Sequence, residues 1–172
     1  LTLAMRDEPL GDMNPYEAAL AENPADEMPA TGLGGPMFYT SGTTGRPKGV
    51  VSGSFSGDDK PIELMMLVGQ AIVGSLGMPE AGRTLLVGPV YHSAQWAFSF
   101  LPLLAGTAVI MRHGIDAEES LDLIDEFSIT NVHLVPTQFV RMLRVDEDRR
   151  ARFDGSSLQA VWHGAAPCSP EI

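Results

Sequence analysis

Thr84-Leu85-Leu86-Val87-Gly88-Pro89-Val90 is a short apolar run, and Thr107-Ala108-Val109-Ile110-Met111 is another, with a helical-looking segment at 92–104 between them. This passage decides the fold. It carries no Asp, Glu, Lys or Arg from Thr84 to Met111, so a membrane span has to be weighed. A spanning helix needs about 20 mostly apolar residues in one run. Gly88, Pro89, His92, Ser93, Gln95, Pro102 and Gly106 interrupt this one, so it reads as strand, helix, strand and no transmembrane segment is expected.

The same alternation continues toward the C-terminus. Residues 116–127 read as a helix, 132–135 as a strand, 137–145 as a helix and 158–163 as a strand. Asp116 can cap the first of these helices, with Glu119 three residues on as a capping box prefers. Leu121, Ile124 and Phe127 recur at helical spacing and define its buried face. Residues 146–157 read as a charged loop. Strands written as short continuous apolar runs suit a parallel sheet covered on both faces. Their alternation with helices predicts an α/β fold, a parallel-rich sheet with flanking helices and right-handed crossovers. Such sheets bind ligands outside the carboxyl ends of their strands. Tyr91-His92, Val135-Pro136-Thr137 and His163-Gly164-Ala165-Ala166-Pro167 all fall at such ends, which predicts one cleft lined by three loops.

Toward the N-terminus, residues 62–76 read as a buried helix, apolar all round with Glu63 as its only charge. Met37-Phe38-Tyr39 reads as a strand entering a Gly/Thr/Ser-rich loop, and Val50-Val51 as its return strand. Residues 1–35 are acidic and rich in Pro and Gly and read as a connector, with a short helix around 16–21. The expected organisation is a connector over 1–35, a loop-bearing hairpin and buried helix over 36–80, and an α/β subdomain over 81–172.

Composition narrows the function. A hydrophobic share of 44% and a charged share of 19% over 172 residues describe a soluble, core-forming chain. Eleven basic against 22 acidic residues give a net charge of -11. That leaves no basic footprint for nucleic acid. The single cysteine, Cys168, excludes an intrachain disulfide and suits a reducing, cytoplasmic setting. Leu1-Thr2-Leu3-Ala4-Met5 lacks the basic-then-apolar pattern of a signal peptide.

The chemistry concentrates in Tyr39-Thr40-Ser41-Gly42-Thr43-Thr44-Gly45-Arg46-Pro47-Lys48-Gly49-Val50. Gly42, Gly45 and Gly49 permit tight turns and close approach of a ligand. Successive backbone N–H groups in such a loop form an anion-binding concavity. Thr40, Ser41, Thr43 and Thr44 add hydroxyls for phosphate oxygens or Mg²⁺. Lys48, one of only two lysines, adds a point charge for a leaving pyrophosphate. The common phosphate loop needs Gly, four residues, then Gly-Lys-Ser/Thr, and the Arg46-Pro47-Lys48 spacing departs from it. The plain alternative, a Ser/Thr/Gly hairpin turn, does not call for four hydroxyls, three glycines and a lysine in this order.

This twelve-residue stretch resembles the signature phosphate loop of the adenylate-forming enzymes, which include acyl-CoA synthetases, luciferases and the adenylation domains of peptide synthetases. Gly88-Pro89-Val90-Tyr91-His92-Ser93-Ala94 resembles the family's Pro-x-Tyr/Phe-His segment. Val135-Pro136-Thr137 lies in a stretch similar to the one that follows it. Val161-Trp162-His163-Gly164-Ala165-Ala166-Pro167 is similar to the loop on which adenine rests. The ending through Cys168-Ser169-Pro170-Glu171 resembles the fatty-acid–CoA ligase branch.

The resemblance implies a two-step reaction. A fatty-acid carboxylate attacks the α-phosphate of ATP to give an acyl adenylate, and coenzyme A then displaces AMP to give a thioester. It implies that Ser41, Gly42, Thr43, Thr44, Gly45 and Lys48 hold the outer phosphates and that Thr40 helps place Mg²⁺. It places His92 where the carboxylate enters, and Gln95 and Trp96 along the acyl tunnel. Gly164, Ala165, Ala166 and Pro167 pack on adenine. His113 and His133 have no motif support and are expected to be structural or solvent-facing. The family's Tyr-Gly-x-Thr-Glu segment, ribose-binding aspartate, hinge and C-terminal domain have no counterpart here. The chain is therefore expected to be a central fragment, inactive alone. Ser52-Gly53-Ser54-Phe55-Ser56-Gly57 replaces a histidine-bearing stretch often seen in the family. Two other readings stand beside this one: a non-catalytic nucleotide- or acyl-binding module, and an adenylation domain that loads a carrier protein.

Overall fold

The computed structural model describes residues 3–4, 14–26, 35–40, 45–51, 61–79, 81–112, 114 and 116–172. The chain divides into two compact units, Leu1–Thr31 and Gly32–Ile172. In the first, β1 (Leu3–Ala4) pairs in parallel with β2 (Asn14–Pro15), and α1 (Tyr16–Glu22) follows. Asn23 ends this helix, its Nδ2 donating back to the Ala19 carbonyl at 2.6 Å.

The second unit opens with an antiparallel hairpin of β3 (Met37–Thr40) and β4 (Lys48–Val51), in which Thr40 faces Lys48. Next comes α2 (Ile62–Ser75), apolar as the sequence predicts but not the buried helix expected: Met65 and Val73 are buried, while Leu64, Met66 and Leu67 are exposed, because only one side of the helix packs, against α3. From there strands and helices alternate: β5 (Arg83–Leu86), α3 (Ser93–Leu104), β6 (Ala108–Met111), α4 (Ala117–Glu126), β7 (Asn131–Leu134), α5 (Pro136–Leu143), α6 (Glu147–Ala151) and β8 (Ala160–His163). The charge-free stretch therefore folds as β5, α3 and β6. Among the described residues no helix is long and apolar enough to cross a membrane.

The four later strands form one wholly parallel sheet in the order β6-β5-β7-β8. Period-two alternation divides its residues between two faces. Leu85, Val87, Val132 and Leu134 pack with Leu123 and Ile124 of α4 and with Phe139 and Met142 of α5. The opposite face carries α3, whose Phe98 lies against His133 and Trp162. Val73 of α2 packs with Leu101 of α3 in a separate cluster. Each fully buried Leu, Ile or Val stabilises the fold by about 1.5–3 kcal/mol relative to its exposure. The short strands can therefore be almost wholly apolar.

Local signals set the element ends. Asp116 accepts from the Glu119 backbone N–H at 2.8 Å, the cap read from the sequence. The Glu119 carboxylate pairs with Arg112 Nε at 3.0 Å instead of completing a box. Gly106 (φ +81°) ends α3 in the left-handed region, letting Thr107 N–H reach the Pro102 carbonyl at 2.9 Å. Pro136 opens α5, where a missing N–H costs nothing. The charged segment 146–157, expected as loop, contains α6. Asp146 caps it by accepting from Asp148 and Arg149 N–H, and the buried Arg149 pairs with Asp122 of α4.

Candidate functional site at the strand switch

The strand order makes the location of a site a matter of topology. The chain leaves β5 to form β6 on one side, then crosses back past β5 to form β7 on the other. The two connections lie on opposite faces, so a crevice opens beyond the carboxyl ends of β5 and β7, where open α/β sheets bind ligands. A cavity of about 320 Å³ occupies that place. Gly88 and Pro89 after β5 line it, with His92, Ser93, Ala94 and Gln95 from the start of α3. His133 and Val135 contribute from β7 and its end, Gln138 from α5, and Ala165 from the loop after β8. All three loops singled out in the sequence meet there.

Two glutamines hold the crevice in shape. Gln138 Oε1 accepts from the Val135 N–H at 2.8 Å, and its Nε2 donates to the Val87 carbonyl at 2.9 Å, joining the ends of β7 and β5. Gln95 is buried, and its Nε2 lies 3.3 Å from His133 Nδ1 and 3.4 Å from the His133 carbonyl. Gly88 leaves room for this side chain, since a Cβ there would stand 2.9 Å from Gln95 Cδ. Phe98 stacks on the His133 ring at 4.5 Å. Burial lowers the His133 pKa below its ordinary value of 6.5, the His133 backbone hydrogen bond opposes the shift, and the His163 charge adds to it. The sequence reading set His133 aside, yet the structure puts it in the cavity wall. The available signal was a histidine inside an apolar strand buried on both faces.

The remaining expected residues fall around this cavity. His92 is exposed at the N-terminus of α3, its ring 4.8 Å from that of Tyr91. Gly164 continues the β8 pairing through its N–H to the Leu134 carbonyl at 3.3 Å. Ala165 (φ +67°) takes a left-handed conformation costly for a residue with a Cβ, a kind of strain that clusters at ligand sites. Ala166 and Pro167 are exposed beside it. Trp96 is not in the cavity wall. It packs edge-on against Phe38 at 5.6 Å and stacks on Phe100 at 4.6 Å, placing the β3–β4 hairpin beside the first turns of α3. Thr40 and Lys48, both exposed, end the two hairpin strands, and Thr40 Oγ1 donates to the Lys48 carbonyl at 3.5 Å. Gly45 (φ +78°) needs its glycine. Ser41, Gly42, Thr43, Thr44, His113 and Ser52 to Gly57 lie outside the described residues.

A second crevice, about 270 Å³, opens on the α4–α5 face among Ile124, Val132, Phe139, Phe153 and Leu158, with Arg150 as its one polar side chain. Its wall is otherwise apolar, whereas the switch-point cavity gathers His92, Ser93, Gln95, His133 and Gln138 at the strand ends, which makes it the candidate site.

The sequence agrees with the topology. The family described as AMP-binding enzyme matches residues 13–172. The chain belongs to that family. Among its relatives, the peroxisomal OPC-8:0-CoA ligase 1 of Arabidopsis thaliana is 31% identical over 138 residues, covering 79% of this chain and 24% of that protein. The 4-coumarate–CoA ligase 5 of Oryza sativa subsp. japonica is 33% identical over 138 residues, covering 78% of this chain and 24% of that protein. The chain thus spans about a quarter of the length of these relatives. The inhibitor-bound N-terminal domain of FACL13 from Mycobacterium tuberculosis superposes with a TM-score of 0.73 at 24% identity, covering 96% of this chain and 42% of that one. The chain therefore has the fold of part of such an N-terminal domain.

Metal fits this site only in a limited way. Among the described residues no group of three or more His, Cys, Asp or Glu gathers to hold an ion. Mg²⁺ usually keeps several waters and is held by substrate phosphates with one or two protein groups. Thr40, whose exposed hydroxyl oxygen at the end of β3 can offer a lone pair while its proton goes to the Lys48 carbonyl, fits as one such group.

Proposed function

We propose that this chain is the part of an ATP-dependent acid–CoA ligase that holds the reacting carboxylate and the nucleotide. The observation that carries this reading is the cavity at the β5/β7 switch, where His92, Val135 and Ala165 come together from three separate loops. Family membership and the CoA-ligase relatives support it.

In the first step a carboxylate oxygen attacks the α-phosphorus of ATP. The bond from that phosphorus to the bridging oxygen breaks, and pyrophosphate leaves with the electron pair. Lys48, the hydroxyls of Thr40, Ser41, Thr43 and Thr44, and the backbone of Gly42 and Gly45 neutralise the outer phosphates. Bound Mg²⁺ supplies further charge neutralisation on those oxygens, with Thr40 as a protein ligand. His92, at the mouth of the cavity, orients the carboxylate, while Gly164, Ala165, Ala166 and Pro167 let the adenine ring lie against backbone. In the second step the coenzyme A sulfur attacks the acyl carbon and AMP departs. Gln95 borders the acyl path, and Trp96 braces it through Phe38. The small apolar groups of Gly88, Pro89, Ala94 and Val135 suit an acid with an apolar tail, of fatty-acid type. The lone cysteine supports a reducing, cytoplasmic setting.

The test is carboxylate-dependent ATP–pyrophosphate exchange by the full-length gene product, with short-, medium- and long-chain acids. Exchange followed by acyl-CoA formation with free coenzyme A is the expected result. Exchange without acyl-CoA, but with acyl transfer to a carrier protein, assigns the other acceptor. No exchange with any acid overturns the reading in favour of a binding module.

A further inference from the structure

The strands of the sheet are not joined evenly. β5 pairs with β6 from Arg83↔Ala108 to Leu86↔Met111, and β7 with β8 from Asn131↔Ala160 to Leu134↔His163. β5 and β7 pair only at Thr84↔Asn131 and Leu85↔Val132. Carried on in the same register, their ladder would next join the Val87 N–H to the His133 carbonyl, and then the Val87 carbonyl to the Val135 N–H. Neither backbone rung is made. Gln95 Nε2, from α3, lies 3.4 Å from the His133 carbonyl. Gln138, from α5, fills the second rung at both ends. Its Nε2 donates to the Val87 carbonyl at 2.9 Å, and its Oε1 accepts from the Val135 N–H at 2.8 Å. Only one orientation of the amide satisfies both, since a carbonyl only accepts and an N–H only donates. A carboxamide thus stands where one direct backbone bond would, and the strand ends are spread by its width where the cavity opens.

The two strand ends carry different parts of the proposed site. Gly88, Pro89 and His92 follow β5 and present the acid. The Gly164 N–H donates to the Leu134 carbonyl at 3.3 Å, which ties the adenine loop to the end of β7. The Gln138 amide therefore links the segment that holds the carboxylate to the one that holds the nucleotide. Each polar atom of that amide already serves backbone, so its part is to place the two segments and not to bind the acid.

We propose that Gln138 is a positioning residue for adenylate formation: its side chain, standing in for the missing β5–β7 rung, sets the separation of the His92 segment from the Ala165 loop and so the line of attack of the carboxylate on the α-phosphorus. The inference rests on the ligase reading and adds a residue to it. A misplacement of about 1 Å between reacting groups can cost about 10²-fold in rate.

The experiment is single-turnover adenylate formation by the full-length gene product, at saturating ATP and straight-chain fatty acids of short, medium and long chain. The amplitude counts the molecules able to react, and the rate constant reports their geometry. Gln138→Met keeps the length of the side chain and removes the amide. Its rate constant is expected to fall about 10–100-fold with the amplitude near native. Gln138→Asn keeps an amide one methylene too short to span both strand ends and is expected to fall likewise; this arm stands if Gln138→Met fails to fold. Asp146→Ala removes the cap of α6 and is the stability control, expected to keep the native rate constant. A native rate constant in either Gln138 variant, a loss confined to amplitude, or an equal fall in Asp146→Ala overturns this inference and leaves the ligase reading intact. No adenylate from the native protein with any acid overturns the ligase reading, and this inference with it.

Discussion

Gln95 Nε2 and His133 Nδ1, 38 residues apart in sequence, stand 3.3 Å from each other and tie α3 to the strand beside the switch point. The contact makes a helix residue and a strand residue one polar unit inside an apolar wall. It also links the cavity to the titration of the fold.

Burial holds the His133 pKa below its ordinary value of 6.5, so in the window from pH 6.5 down to the folded-state value the unfolded chain binds more protons than the folded one. Stability then rises with pH across that window and is lost as pH falls through it. His133→Gln removes the titrating group. Urea unfolding of the chain between pH 5 and 8, given as about the range that spans the histidine transition, is expected to show a shallower pH slope for His133→Gln than for the native sequence. An unchanged slope shows that His133 does not titrate differently on folding.

The sheet was legible because its strands need no polar face. Leu85, Val132 and Leu134 are buried on a parallel sheet, and that burial is written directly as apolar runs. Helix α4 was legible for a different reason, its cap at Asp116 and its apolar residues at helical spacing. Helix α6 was hidden because its five residues, Glu-Asp-Arg-Arg-Ala, bear no apolar stripe. Asp146 and the pairing of Arg149 with the distant Asp122 define it instead. His133 was hidden likewise, since its partners Gln95 and Phe98 come from another element. The meeting of three loops at strand ends was readable from order alone. The identity of the polar group within their cleft needed the fold.

Asp116→Ala tests the local half of that account. The carboxylate satisfies the Glu119 N–H at 2.8 Å, and losing an N-cap costs about 1 kcal/mol, within a range of roughly 0.5–2 kcal/mol. Chemical denaturation is expected to show that loss, with Asp116→Asn recovering most of it because Asn also caps.

Leu85→Ala tests the non-local half. Leu85 is 1% exposed in the cluster shared by β5, β7 and α4, and truncating such a residue costs about 2–5 kcal/mol through lost burial and an unfilled cavity. Leu103, on α3, is 54% exposed, and Leu103→Ala is expected to fall within about 0.5 kcal/mol of the native chain. Equal losses at the two positions would mean that the sheet core is not where the fold's stability resides.

Lys48→Ala tests the phosphate end of the proposed site. Lys48 sits exposed opposite Thr40 where the hairpin strands meet their loop, so its removal is expected to leave the unfolding transition within about 0.5 kcal/mol of native. In the proposed reaction the positive charge acts as pyrophosphate develops negative charge on departure, and one lost electrostatic group of this kind costs about 10²–10³-fold in rate. In the full-length gene product, exchange is therefore expected to fall by that order while the melting curve stays in place. Lys48→Arg keeps the charge but replaces a point donor with a planar fork, and is expected to recover part of the rate. Native exchange by Lys48→Ala would remove this residue from the phosphate site and leave the hydroxyls and backbone of the hairpin loop to carry that role alone.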